Sequence, residues 1–266
     1  MADILASLLP EYGNWIFVGI SAVLCVLLGI FAYSKKMLDL KASLLAMVLG
    51  FLVIGYSDFF WFILLLLFLV ISYMVTVWKY NSKNLTGNSE GANGERGVRN
   101  VVANGIIPLL IVLFSGLLEG VFQGLAGFLF IVSISIATAD TFASEIGVIS
   151  RRPRMITDPG SVVRPGVDGA VSLLGNVAAL LGALLIAVAG YFLVTDRLTT
   201  LGPHGLDANM LVVVLAVVIG WFGCQLDSLL GATLQQKGLL SNDAVNFVTI
   251  LVCVIFSVPI FFLFLN

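Results

Sequence analysis

Long apolar windows separated by short polar clusters run the length of the chain. They lie near Trp15–Tyr33, Leu40–Tyr56, Phe59–Trp78, Val101–Leu118, Val121–Ala139, Ala170–Val194, Met210–Leu234 and Ala244–Leu265. Most reach the ~20 residues that a spanning helix needs, so the pattern predicts eight transmembrane helices, the second giving the weakest signal. Alternating strands of about ten residues are absent, and a β-barrel is not expected. The expected fold is therefore all-α: a polytopic membrane helix bundle forming one integral membrane domain over residues 1–266. The first window has no basic segment before it and no small-residue cleavage site after it, so it reads as a retained helix.

Composition supports this reading. Hydrophobic residues make up 60% of the 266, charged residues 11%, and mean hydropathy is +1.11, against roughly 25% charged residues in an ordinary soluble domain. Cys25, Cys224 and Cys253 fall in apolar stretches without metal-ligand spacing and read as reduced packing residues. A net charge of −2 without a long basic tract argues against a nucleic-acid partner.

Charge distribution predicts orientation. Of 13 Lys and Arg, only Arg197 falls in an even-numbered connection. Lys35, Lys36 and Lys41 lie in the first, Lys79, Lys83, Arg96 and Arg99 in the third, Arg151, Arg152, Arg154 and Arg164 in the fifth, and Lys237 in the seventh. The positive-inside rule then places odd connections in the cytosol and both termini on the outer side, with the cell membrane as the expected location.

The polar residues near helix ends follow the same sorting. Arg96, Asn100 and Asn104 share one helical face if the fourth helix starts before Val101, as do Asp140 and Ser144 ending the fifth. Asp168, Ser172 and Asn176 repeat the pattern entering the sixth helix, Asp227, Gly231 and Gln235 leaving the seventh, and Asn242 and Asn246 entering the eighth. One such stripe would ordinarily be a cap or a helix crosslink. Five at one membrane face, including the acids Asp140, Glu145, Asp168 and Asp227, mark a functional site. Gly175, Gly182, Gly220, Gly223 and Gly231 sit at spacings that allow close helix approach.

The connection Asn81–Asn100 is rich in Gly, Asn and Ser and reads as a mobile cytosolic loop. It ends with Gly94 and Gly97 beside Arg96 and Arg99 before a helix, a candidate phosphate cradle. Arg164, in "RPGVDG", precedes the turn that delivers Asp168, either as an ion pair or as half of a phosphate–metal site. Arg151, Arg152 and Arg154 read as headgroup contacts. No P-loop or nucleophile elbow occurs, and the single histidine, His204, falls on the opposite face. Carboxylates, arginines and amides at a membrane surface suit Mg²⁺-dependent phosphoryl transfer.

The stretches "ADTFASEIG" (Ala139–Gly147), "PGVDGAVSLLG" (Pro165–Gly175), "QLDSLLGATLQ" (Gln225–Gln235) and "SNDAVNF" (Ser241–Phe247) resemble the family called domain of unknown function 92, or transmembrane protein 19. The resemblance runs from about Arg96 to the carboxyl end; the first three helices match only in hydrophobic character. A plant chloroplast member is a phytyl-phosphate kinase, so the resemblance implies a polyprenyl-phosphate kinase. Related prenol and dolichol kinases use CTP, which makes CTP, or another nucleoside triphosphate, the expected co-substrate.

Carried over by motif, Asp140, Glu145, Asp168 and Asp227 are the candidate catalytic and metal-holding acids. Phe142 and Val167 stand where many relatives are expected to have Trp and Thr, which bears on pocket shape. The phosphate-binding candidates are Arg96, Arg99, Asn100, Asn104, Ser144, Arg164, Ser172, Asn176, Gln235, Asn242 and Asn246. A phosphate monoester is already anionic near neutral pH, its second pKa being about 6, so no histidine base is needed. Two alternatives stay open. One is a carrier of a phosphorylated lipid, with Glu119, Asp196 and Asp207 at its far end. The other is nucleotidyl transfer giving a CDP-lipid. Self-association is compatible with the sequence.

Overall fold

The computed structural model describes residues 12–85, 94–115, 118, 121–194 and 205–265. Each apolar window becomes a helix: α1 Tyr12–Ser34, α2 Leu40–Tyr56, α3 Phe59–Val77, α5 Val98–Ser115, α6 Val121–Gly147, α7 Leu173–Leu193, α8 Gly205–Leu230 and α9 Asn242–Phe264, with a short α4 Tyr80–Leu85 between α3 and α5. Seven are long and apolar enough to cross a membrane; α2, at 17 residues, is the shorter exception. At 1.5 Å per residue it spans about 25 Å, slightly less than a hydrocarbon core.

Side-chain caps begin several helices. Asp39 Oδ1 accepts from Ala42 N at 2.7 Å, and Asp58 Oδ1 accepts from Phe60 N at 2.7 Å. Ser172 Oγ accepts from Gly175 N at 3.0 Å and Ser241 Oγ from Ala244 N at 3.2 Å. These supply partners for amide groups that the first turn leaves unpaired.

α6 is the axis of the bundle, packed against α3, α5, α7, α8 and α9. Phe128, Phe130, Ile131 and Val132 on it are fully buried, and Phe130 stacks on Trp61 with ring centroids 4.4 Å apart. Small residues set the seam with α7. A Cβ on Gly182 would lie 2.9 Å from Phe142 Cγ and 3.1 Å from Thr138 O, so the helices meet where only hydrogen fits. Leu181 and Leu185 of α7 and Val214 and Phe222 of α8 are exposed, as lipid-facing side chains should be. The three cysteines are free and buried.

Several boundaries differ from those the hydropathy windows predict. α6 runs past Ala139 to Gly147, so Asp140, Ser144 and Glu145 are helical. α5 starts at Val98, leaving Arg96 two residues outside; Arg96 N donates to Met37 O and Asp39 N to Arg96 O, both at 3.1 Å. Ala170–Val171 is not helical but strand β3, which pairs with β1 (Arg154–Met155), itself paired with β2 (Asp158–Val162), in an antiparallel sheet of order β2-β1-β3. Asp168 therefore precedes α7 in a turn, and Ser172 is the N-cap. α8 ends in a π-helical turn, Gly231–Gln235, which widens the helix one turn past Asp227. Residues 80–85 of the third connection are helical, whereas 86–93 lie outside the described residues.

Candidate functional site

The connections that follow α1, α3, α6 and α8 gather at one end of the bundle. Leu38 bridges to Arg96, Tyr73 Oη donates to Lys35 O at 2.8 Å, and Gln236 Nε2 donates to Asp168 O at 2.7 Å. There a cavity of about 500 Å³ opens among α6, α7, α8, α9, the turn before α7 and the residues leading into α5. Twelve of the fifteen candidate catalytic and phosphate-binding residues line it: Arg96, Asn100, Asp140, Ser144, Glu145, Asp168, Ser172, Asn176, Asp227, Gln235, Asn242 and Asn246.

In its wall the carboxyl groups of Asp140 on α6 and Asp227 on α8 are neighbours. Thr249 Oγ1 donates to Asp227 Oδ2 at 3.4 Å. Asn246, with its amide nitrogen turned toward the acid, donates to the same oxygen at 3.0 Å and to Asn242 O at 3.2 Å. Arg96 is the cationic neighbour of Asp140. It is buried, and its guanidinium donates to Asn100 Oδ1 at 3.5 Å and Thr76 Oγ1 at 3.4 Å. Gln225 Nε2 donates to Asn176 Oδ1 at 2.8 Å, tying α8 to α7 across the wall.

The other two acids are placed differently. Glu145 is buried, and its Oε2 accepts from Lys83 Nζ, which also donates to Val75 O and Thr76 O. One oxygen is thus committed to a lysine. Asp168 stands exposed on the rim, where partial burial of its carboxyl pushes its pKa up. Among the described residues no three His, Cys, Asp or Glu side chains gather closely enough to hold a metal ion by themselves.

Three phosphate-binding candidates lie off the cavity wall. Arg99 and Arg164 are exposed and do not line it, so Arg164 does not converge with Arg96. Asn104 is buried one turn further into α5, where its Nδ2 donates to Asn100 O at 3.0 Å and Oδ1 at 3.4 Å. Glu119, Asp196 and His204 lie outside the described residues, as does the Asp207 side chain.

Sequence reasoning missed Lys83, Thr249 and Gln225. Thr249 lies one turn beyond Asn246 and Gln225 two residues before Asp227, so helical spacing could have found the first. No local signal links Lys83 to Glu145.

Two acids side by side repel unless a proton or cation lies between them. Hard oxygen ligands from one or two carboxylates, completed by water and phosphate oxygens, are the usual setting for Mg²⁺. The Asp140–Asp227 pair fits that ion, and no imidazole competes among the cavity-lining residues.

Fold and site together define a multi-pass integral membrane protein with an acid-paired, arginine-flanked cavity at one end of its helices. The chain belongs to the family described as integral membrane protein DUF92, which matches residues 23–254 and so extends well upstream of Arg96. It is 33% identical over 240 residues to an uncharacterized membrane protein of Methanocaldococcus jannaschii, covering 90% of this chain and 92% of that one. It is 30% identical over 194 residues to the chloroplastic protein VTE6 of Arabidopsis thaliana, covering 71% of this chain and 55% of that protein. Protein PGR of the same plant is 27% identical over 271 residues, covering 87% and 91%. No solved structure matches the chain.

Proposed function

We propose that the protein is an isoprenoid-phosphate kinase, transferring the terminal phosphoryl group of CTP or another nucleoside triphosphate to a prenyl monophosphate. The observation that carries this reading is the cavity in which Asp140, Asp227 and Arg96 meet at one end of the bundle. The family resemblance to a phytyl-phosphate kinase supports the choice of acceptor. Positive-inside asymmetry argues that this end faces the cytosol, where nucleotides are found.

In the proposed reaction an oxygen of the lipid monophosphate attacks the γ-phosphorus. A new P–O bond forms, the β–γ bridging P–O bond breaks, and the nucleoside diphosphate leaves with the bridging oxygen. The attacking oxygen is already anionic, so the site needs positioning and charge neutralisation rather than a base. Arg96 offers a planar fork for phosphate oxygens, and Asn100 orients that fork through its Oδ1. Asn246 and Thr249 hold the Asp227 carboxyl in place. Asp140 and Asp227 would hold Mg²⁺, which when bound neutralises phosphate charge.

The test is purified protein with Mg²⁺, terminally labelled CTP or ATP, and phytyl or geranylgeranyl phosphate. Labelled prenyl diphosphate is expected. A CDP-lipid product, or no transfer with any nucleotide, would overturn the reading. Nucleotide-independent movement of the lipid phosphate across vesicles would favour a carrier.

A further inference from the structure

A second cavity, about 120 Å³, lies among α1, α2, α3 and α5. Its walls are almost wholly hydrocarbon, with Leu28, Met47, Phe62, Leu65 and Leu69 among them. Three residues break that character, Arg96, Asn100 and Asn104, and the first two also line the polar cavity. The two spaces therefore share a wall at one buried guanidinium. A ligand with an anionic head and an aliphatic tail matches this junction chemically at both ends.

We propose that the apolar cavity receives the proximal part of the tail of the monophosphate lipid, with the phosphate held at Arg96 and Asn100 on the polar side. This rests on the lipid-phosphate reading above and adds where the branching and saturation of the acceptor's first units are sensed. The lining residues run from Cys25 to Ala32 on α1, Ala46 to Val53 on α2, Phe62 to Leu69 on α3 and Val101 to Leu109 on α5. Eight or nine residues along each helix amount to about 11 to 12 Å. That accommodates the first units of a prenyl chain and leaves its distal part to the bilayer. Residues that would otherwise narrow the space are small: Ala32, Ala46 and Gly105.

Helices α1 to α3 thereby gain a specific role. They contribute none of the acids in the polar cavity; α2 packs against α1, α3 and α5, and α3 also packs against α6 and α7. Their part is to shape the lipid-accepting side of Arg96.

The test is photo-crosslinking with geranylgeranyl monophosphate carrying a diazirine in its first isoprene units, followed by peptide mapping of the intact protein in detergent. Labelling is expected within residues 25–32, 46–53 and 62–69. Ala46→Phe, which fills the space, should lower labelling and geranylgeranyl-phosphate turnover by about tenfold. Turnover of isopentenyl phosphate should change little. Leu44→Phe, on the exposed side of α2, is the control and should leave both unchanged.

Label confined to α6–α9, label unaffected by Ala46→Phe in folded protein, or no label above a dark control would overturn the proposal. If wild-type protein labels here but transfers no phosphate, the kinase reading fails and the tail site stands. If it phosphorylates the lipid but labels elsewhere, the tail site fails and the kinase reading stands.

Discussion

Lys83 Nζ lies 2.5 Å from Glu145 Oε2 in a buried ion pair between residues 62 positions apart. It fastens α4, after the third helix, to the end of α6 just below the acid pair. Lys83 also donates to two carbonyls at the end of α3, so its charge is satisfied on several sides.

Breaking that pair from one side strands a buried charge. Lys83→Met and Glu145→Gln should each cost about 3 kcal/mol of stability, and the double replacement Lys83→Met with Glu145→Gln should cost less than their sum. Unfolding in detergent measures this. If Glu145 were instead a metal ligand, Glu145→Gln would chiefly alter Mg²⁺ dependence and leave stability near normal.

If Asp140 and Asp227 hold one cation, as proposed, their effects should not add. Asp140→Asn and Asp227→Asn are each expected to lower phosphoryl transfer on the order of 10²-fold or more, with the pair little worse than either. Turnover of both variants near the wild-type value in folded protein would remove the acids from the reaction.

How much of this was legible in the sequence follows from what each feature depends on. The spanning helices depend on local hydropathy, and the polar ends on helical spacing, so Asp140, Asp227, Asn176 and Asn246 could be found by reading along the chain. Lys83–Glu145 depends on where α4 docks, which no local pattern encodes. The strands β1 and β3 are two residues each, too short for any period to register. Arg164 shares a motif with Asp168, but the turn carries its side chain to the surface, and spacing outside a helix does not fix direction.

The two arginines should therefore behave differently. Arg96→Ala is expected to weaken nucleotide or lipid-phosphate binding by about tenfold or more, the loss of one charge-assisted contact. Arg164→Ala should stay within about twofold, as for an exposed charge. Calorimetry with Mg²⁺ and nucleotide reads both; equal losses would restore Arg164 to the site.

Asp158 gives a pH-dependent signature on the exposed sheet. Its Oδ2 accepts from Ser161 Oγ at 2.5 Å and its Oδ1 from Gly160 N at 3.2 Å, and these bonds hold its pKa below the usual 3.8. The stabilising contribution is fully present above that usual value and is lost as pH falls through the lowered one. Carboxyl-carbon NMR should show the low titration in wild-type protein and its return toward 3.8 in Ser161→Ala.

Gly169 sets the position of Asp168 against the π-helical turn. Its φ is +78°, and a Cβ there would lie 2.4 Å from Ala232 Cβ and 2.6 Å from Ala232 N. A side chain would thus meet both an unfavourable backbone conformation and a neighbouring main chain that cannot turn aside. Gly238 shares the first problem only, with φ of +70° and nothing within 4 Å of where a Cβ would stand. Gly238→Ala should therefore cost about 1 kcal/mol, the left-handed conformation alone. Gly169→Ala should cost about 2 kcal/mol more through the clash. It should also lower turnover, because pushing residue 169 off Ala232 loosens the Gln236 bond to Asp168 O and swings the rim acid out of place. Detergent unfolding of the two variants side by side separates these contributions. Equal destabilisation would mean that the connection does not rest on the π-helical turn as closely as the structure places it.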